Sequence, residues 1–79
     1  MRIENVKIVL YKVLRKMNIS RNDICLSANY IHDIGFDNFD TNCFLNYLET
    51  EFNILIPDND INALDTVGNT LNYLDSRFN

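Results

Sequence analysis

Two cysteines, one histidine and eleven carboxylates are the side chains from which a metal site, a nucleophile or an acid–base pair would have to be built. Cys25 and Cys43 are too few for a disulfide framework and make no metal-spacing motif. A zinc site would have His32 as its single imidazole and would need carboxylates to complete it. No hydroxyl–histidine–carboxylate arrangement and no paired carboxylates in a plausible cleft stand out, so an enzyme is not expected. Asp37 and Asp40 are close in sequence, but acids there suit the positive end of a helix that begins beside them. The most informative stretch is therefore the one around that pair, Asp33-Ile34-Gly35-Phe36-Asp37-Asn38-Phe39-Asp40-Thr41.

The elements that must hold this stretch follow from periodicity. Ile3, Val6, Val9/Leu10, Val13/Leu14 and Met17 recur at steps of three and four, which predicts an amphipathic helix of about fifteen residues. Its late Lys12, Arg15 and Lys16 suit the negative end of the helix dipole. Asn18 through His32 has no sustained period and reads as a long loop pinned to the core by Ile24, Leu26, Ala28, Tyr30, Ile31 and Ile34. Gly35 gives a turn. A second helix runs from about Phe39 to Phe52, with Phe44, Leu45, Tyr47, Leu48 and Phe52 as its stripe. Asn38 is a plausible N-cap for it, and so is Asp40, with Phe39 and Phe44 placed as a hydrophobic staple. Ile54-Leu55-Ile56 has strand composition but no partner strand, and Pro57 opens a turn or short helix through Leu64. Asp65 or Thr66 caps a last helix with Val67, Leu71, Leu74 and Phe78 on one face, weakened by roughly 1 kcal/mol at Gly68 relative to alanine. The expected architecture is all-α: a single domain over 1–79, three main helices plus one short one, and a long loop after the first helix.

Composition narrows the function. With 79 residues, 47% of them hydrophobic, the chain supports one small core and is not expected to be disordered. No run approaches the roughly 20 apolar residues that span a membrane. The first residues show no uninterrupted apolar stretch or small-residue cleavage site, so a cytoplasmic location is the default expectation. The net charge of −4 is unevenly spread: six of the seven basic residues fall in the first 21 positions, and Asn22–Ser76 holds ten acids and no lysine or arginine. Such a segment repels phosphate backbones and attracts a basic protein surface, so the expected partner is protein rather than nucleic acid, without membrane insertion. The thirteen asparagines occur singly within periodic segments and read as compositional.

Four linked stretches resemble the acyl carrier protein family. Ala28-Asn29-Tyr30-Ile31-His32-Asp33-Ile34-Gly35 is similar to the family's Ala-Ser-Phe-X-X-Asp-Leu-Gly loop, and the run onward resembles its Asp-Leu-Gly-X-Asp-Ser-Leu attachment motif. Asp40-Thr41, Leu45, Leu48, Glu49, Glu51 and Phe52 follow its second helix. Ile54, Ile56, Pro57 and Asp58 match the Phe-Gly-Ile-X-Ile-Pro-Asp exit, with Asn53 in place of glycine, while Thr66-Val67-Gly68 and Asn72-Tyr73-Leu74 match the last helix. The pattern lies down without a gap from Ala28 to Leu74.

The resemblance implies an acyl-carrier-like bundle, a monomer when free, that docks on biosynthetic enzymes. It also places Asn38 where the family has the serine that receives 4'-phosphopantetheine. An amide has no hydroxyl to esterify, so the cofactor is expected to be absent. The expected function is that of a docking or regulatory partner of a lipid, polyketide or related biosynthetic enzyme. Docking is expected through Asp37, Phe39, Asp40, Glu49, Glu51 and Asp58, although Asn42, Cys43, Thr50 and Asn62 dilute the acidic pattern. Tyr30, Phe44 and Tyr47 are expected in the core, where some rings would fill space the family gives to an acyl chain. Phe36 and Phe39 are expected to be exposed contacts. The alternative is a working carrier, either with its attachment serine changed by design or with another residue, such as Cys43, holding the acyl group. Cys43 near a helix N-terminus could have a lowered pKa, but an unreactive, half-buried thiol is the simpler reading.

Overall fold

A computed structural model describes the backbone of residues 3–78 and the side chains of residues 5–78. Three α-helices, α1 (Ile3–Lys16), α2 (Asn38–Phe52) and α3 (Val67–Phe78), are joined by segments containing short helical turns at Arg21–Asp23, Tyr30–Ile34 and Asp58–Leu64. The all-α bundle expected from periodicity is what forms, and the described residues contain no strand, only an isolated antiparallel bridge between Asn29 and Thr66.

Helix α1 buries Val6, Leu10, Val13 and Leu14, the i, i+4, i+7, i+8 stripe that faces one side of a 3.6-residue period. The side chain of Ile3, expected in the same stripe, lies outside the described residues. Each fully buried Val or Leu contributes about 1.5–3 kcal/mol relative to an exposed one. The helix ends where Asn18 takes a left-handed conformation (φ 65°). Asn18 N donates to Arg15 O (3.0 Å) and Ile19 N to Leu14 O (3.1 Å), the paired bonds that satisfy the last carbonyls of a helix. Asn53 (φ 53°, ψ 51°) closes α2 in the same left-handed way, its N–H on Glu49 O. Asparagine tolerates this region better than other residues with a Cβ. Two asparagines therefore do conformational work that composition alone did not reveal.

Helix α1 packs on both α2 and α3, and the Asp58–Leu64 turn packs on α3. Phe44, Leu48 and Phe52 of α2 and Val67, Leu71 and Leu74 of α3 complete the core. Thr70 is buried among them with both hydroxyl roles filled: it donates to Thr66 O (2.8 Å) and accepts from Tyr30 Oη (2.9 Å). At the far end, Tyr73 Oη donates to Asp60 (2.7 Å), while Arg77 donates to Tyr73 Oη (2.8 Å) and Leu55 O (3.0 Å). Burial, reinforced by the bond to Asp60, pushes the Tyr73 phenol above its ordinary pKa.

The long loop is pinned differently from expectation. Ala28 and Tyr30 are buried and Ile24 and Ile34 partly so, but Leu26 and Ile31 are exposed. Backbone bonds to the start of α3 replace those two side chains as anchors: Gly68 N to Leu26 O (2.8 Å), Val67 N to Ala28 O (3.1 Å) and Tyr30 N to Asp65 O (3.0 Å). In this local antiparallel stitch, positions 26 and 28 spend their backbone on the first residues of α3 and position 30 on Asp65 just before it, while the Leu26 side chain faces solvent. A Cβ on Gly68 would stand 2.9 Å from Leu26 O, closer than real contacts allow. The glycine that weakens the helix by propensity is the residue that lets the loop approach it. Thr66 Oγ1 accepts from Asn69 N (3.1 Å) and so caps α3, as one of the two expected candidates.

Candidate functional site

The site is the turn that delivers the chain into α2. Asn29 begins it, its Oδ1 accepting from Ile31 N (3.0 Å) and His32 N (2.9 Å), while its own N–H donates to Asp33 (2.8 Å). One wide helical turn follows, and Gly35 ends it at φ 95°, a region that a side chain would strain. Gly35 N and Phe36 N both donate to Tyr30 O, the latter at 2.8 Å. This reversal sends Phe36 inward.

Phe36 is only 6% exposed, which corrects its expected role as a surface contact. Its ring stacks on Tyr30 (centroids 5.4 Å apart, planes at 13°) and meets Phe44 at 5.7 Å, while Tyr30 and Phe44 lie 4.5 Å apart. Burial pushes the Tyr30 phenol well above its ordinary pKa, with Thr70 accepting its proton bond. Tyr47, expected inside, is instead 38% exposed, and Lys16 Nζ lies 6.0 Å from its ring centre. Phe44 and Leu48 take the inward face of α2, and Tyr47 is turned off it by one helical step.

The N-cap of α2 is Asp37, neither Asn38 nor Asp40. Asp37 has extended backbone (φ −95°, ψ −172°), and its Oδ1 accepts from Asp40 N (2.8 Å). Asp40 Oδ2 accepts in return from Asp37 N (3.1 Å), closing a reciprocal capping box. Thr41 adds a hydroxyl bond to Asp37 O (3.0 Å). Asn38 is thereby the first residue inside the helix, with its side chain exposed. The expected Phe39–Phe44 staple does not form, since Phe39 is 73% exposed. Phe36, just before the cap, makes the inward contact with Phe44 instead.

The six expected docking residues do not form one cluster. Asp37, Phe39 and Asp40 share the first turn of α2 and its entry. Glu49 and Glu51 lie near the other end, about 18 Å along the axis from Phe39 to Glu51 at 1.5 Å per residue. Glu49 is partly buried, and its Oε2 accepts from Ile56 N (2.9 Å), holding the exit segment. Glu51 pairs with Lys16 Nζ at 2.7 Å; that hydrogen bond, and the opposite charge behind it, lower the Glu51 pKa and raise that of Lys16. Sequence reading missed both attachments: Lys16 and Glu51 are 35 residues apart, and the Glu49 bond goes to a main-chain N–H, which no side-chain pattern marks. Asp58 is exposed at the start of its turn.

A cleft of about 400 Å³ opens beside the aromatic trio, lined among others by Ile31, Thr41, Leu45, Ile61 and Leu64. Cys43 lines a different surface depression, with Lys16, Tyr47 and Glu51. Both Cys43, half-buried, and Cys25, exposed, are free thiols. Among the described residues no three metal-ligating side chains come together, and no helix is long and apolar enough to cross a membrane. What the arrangement offers is a doubly capped, acidic helix start that presents one amide and one exposed ring.

No protein-family model matches the chain. An acyl carrier protein of Porphyromonas gingivalis, represented by two strains, is 32% identical over 69 residues, covering 87% of this chain and 88% of its own length. An acyl carrier protein of Azobacteroides pseudotrichonymphae is 32% identical over 72 residues, covering 90% of this chain and 85% of its own. The fold and the helix-start turn thus define a small helical carrier-type domain. The chain belongs to the acyl carrier protein family.

Proposed function

We propose that this protein is a carrier-fold docking or regulatory partner of a lipid, polyketide or related biosynthetic enzyme, and that it does not carry 4'-phosphopantetheine. The observation that supports this reading is Asn38. It stands where the family pattern has its attachment serine, exposed at the first position of α2, and it offers an amide that cannot be esterified. Its presence is not needed to start the helix, because Asp37 and Asp40 do that.

Docking uses the surface that remains. Phe39 projects beside the Asp37 and Asp40 carboxylates, each of which keeps a second oxygen for a cationic partner. An exposed aromatic ring rimmed by acids suits a basic enzyme surface with an apolar pocket. The Tyr30–Phe36–Phe44 trio packs ring against ring along one wall of the cleft of about 400 Å³. Cys43 lines the Lys16 side of α2 rather than the cleft, a poor position for an alternative acyl attachment.

Incubation with a broad-specificity phosphopantetheinyl transferase and coenzyme A tests the reading by intact-mass spectrometry. The natural chain is expected to keep its mass, and Asn38→Ser to gain one phosphopantetheine. A stable mass gain on the natural chain, at whatever residue it maps, overturns the proposal.

A further inference from the structure

A second surface lies on α1, away from the start of α2, and its charge is opposite. Ile8 and Tyr11 of α1, with Ile24 from the loop, floor a groove of about 560 Å³. Lys12, Arg15, Lys16 and Arg21 complete its lining, which contains no acidic side chain. Ile8 is 60% exposed. Lys16 is balanced by Glu51, but Lys12, Arg15 and Arg21 form no salt bridge or side-chain hydrogen bond among the described residues. Asp23, exposed two residues beyond Arg21, stands outside the lining.

We infer that this groove docks an acidic amphipathic helix of a partner protein. The apolar stripe of that helix would rest on Ile8, Tyr11 and Ile24, and its carboxylates would face Lys12, Arg15 and Arg21. Ile8, Tyr11/Lys12 and Arg15 follow the i, i+3/i+4, i+7 spacing along about 10 Å of α1, a length that two turns of a facing helix would cover. The lining cations come from two elements, Lys12, Arg15 and Lys16 from α1 and Arg21 from the turn after it, so the positive charge is spread over the lining rather than concentrated at one residue.

Other occupants fit less well. A bilayer is flat and does not enter a concave groove. A second copy carries seven basic residues beside its eleven acids, so it offers the groove a weaker charge match than a helix rich in acids alone. A nucleic acid strand would bring its phosphates against the ten acids of Asn22–Ser76. A narrow acidic helix meets mainly the basic side, because the molecule is 20–30 Å across and charges are screened within about 10 Å at ordinary salt. This inference does not rest on the role proposed for α2, and together the two surfaces would let the protein join a basic partner to an acidic one.

Fluorescence anisotropy on the full chain tests it with a labelled two-heptad glutamate-rich peptide carrying a leucine stripe, and with a scrambled peptide of the same composition. Saturable binding of the striped peptide is expected, weakening with salt, and absent for the scrambled one. The double variant Arg15→Glu/Arg21→Glu and the single variant Ile8→Asn should each weaken it about tenfold or more with unchanged circular dichroism. Asn59→Ala, exposed and outside the groove's lining, should leave it unchanged. No saturable binding, equal binding of the scrambled peptide, or indifference to both groove variants overturns the inference. So does groove-dependent binding to phosphatidylglycerol-containing vesicles, or groove-dependent self-association in sedimentation, without binding of the striped peptide.

Discussion

Phe36 and Phe39 are three residues apart, yet one closes the interior and the other faces solvent. Between them lies Asp37, whose capping box fixes the frame in which the helix begins. On the inner side, Phe36, Tyr30 and Phe44 pack ring against ring, and the buried Tyr30 hydroxyl has its acceptor in Thr70. On the outer side, Asn38 and Phe39 are held by the helix backbone and are exposed. The difference teaches that the two walls of one turn are energetically separable: the inner wall stabilises the fold, while the outer wall is free to be shaped by partners.

The largest test of that separation substitutes the two rings in turn. Phe36→Ala should cost about 3–5 kcal/mol, and Phe39→Ala less than about 0.5 kcal/mol, read as shifts of the urea midpoint. Similar losses for both would break the comparison.

Next comes the buried hydroxyl pair. Thr70→Val leaves the Tyr30 hydroxyl without its acceptor and should cost about 1–3 kcal/mol, whereas Tyr30→Phe removes the donor and should cost about 1 kcal/mol. The same pair sets an alkaline limit. Folded Tyr30 has its pKa raised by burial, so its stabilising effect is complete below the unfolded phenol's value of about 10. It is lost as pH climbs from there towards the folded value, because the unfolded chain ionises first. Tyr30→Phe should therefore lose less stability between pH 10 and pH 11 than the natural chain, measured by urea titration at each pH.

The smallest effect sharpens the boundary itself. Asp37→Ala should cost about 1 kcal/mol through the lost cap, and Asn38→Ala only a few tenths, because Asn38 lies inside the helix. Equal costs in thermal melts would return the capping role to Asn38.

The helices were legible because their apolar stripes repeat: Val6, Leu10, Val13 and Leu14 in α1, and Val67, Leu71 and Leu74 in α3, can be read from spacing alone. The frame of α2 was not, because Asp37, Asn38 and Asp40 are all good capping residues and propensity does not choose among them. The Asp37-X-X-Asp40 spacing was the available signal, a capping box with aspartate in the usual glutamate position. Phe36 was misplaced because it flanks Asn38 in sequence, whereas its inward turn is set by the main-chain reversal at Gly35. The path of the long loop was illegible for another reason. Its anchors at Leu26, Ala28 and Tyr30 are largely main-chain groups, which every residue type carries, so side-chain hydrophobicity misassigned Leu26 and Ile31.

That stitch between the loop and α3 makes the molecule a clasp. Gly68 sits against Leu26, Val67 against Ala28 and Asp65 against Tyr30, and Tyr30 O in turn holds the reversal that aims α2. The last helix and the turn that carries Asn38, far apart along the chain, are thereby tied together through the main chain of the loop between them.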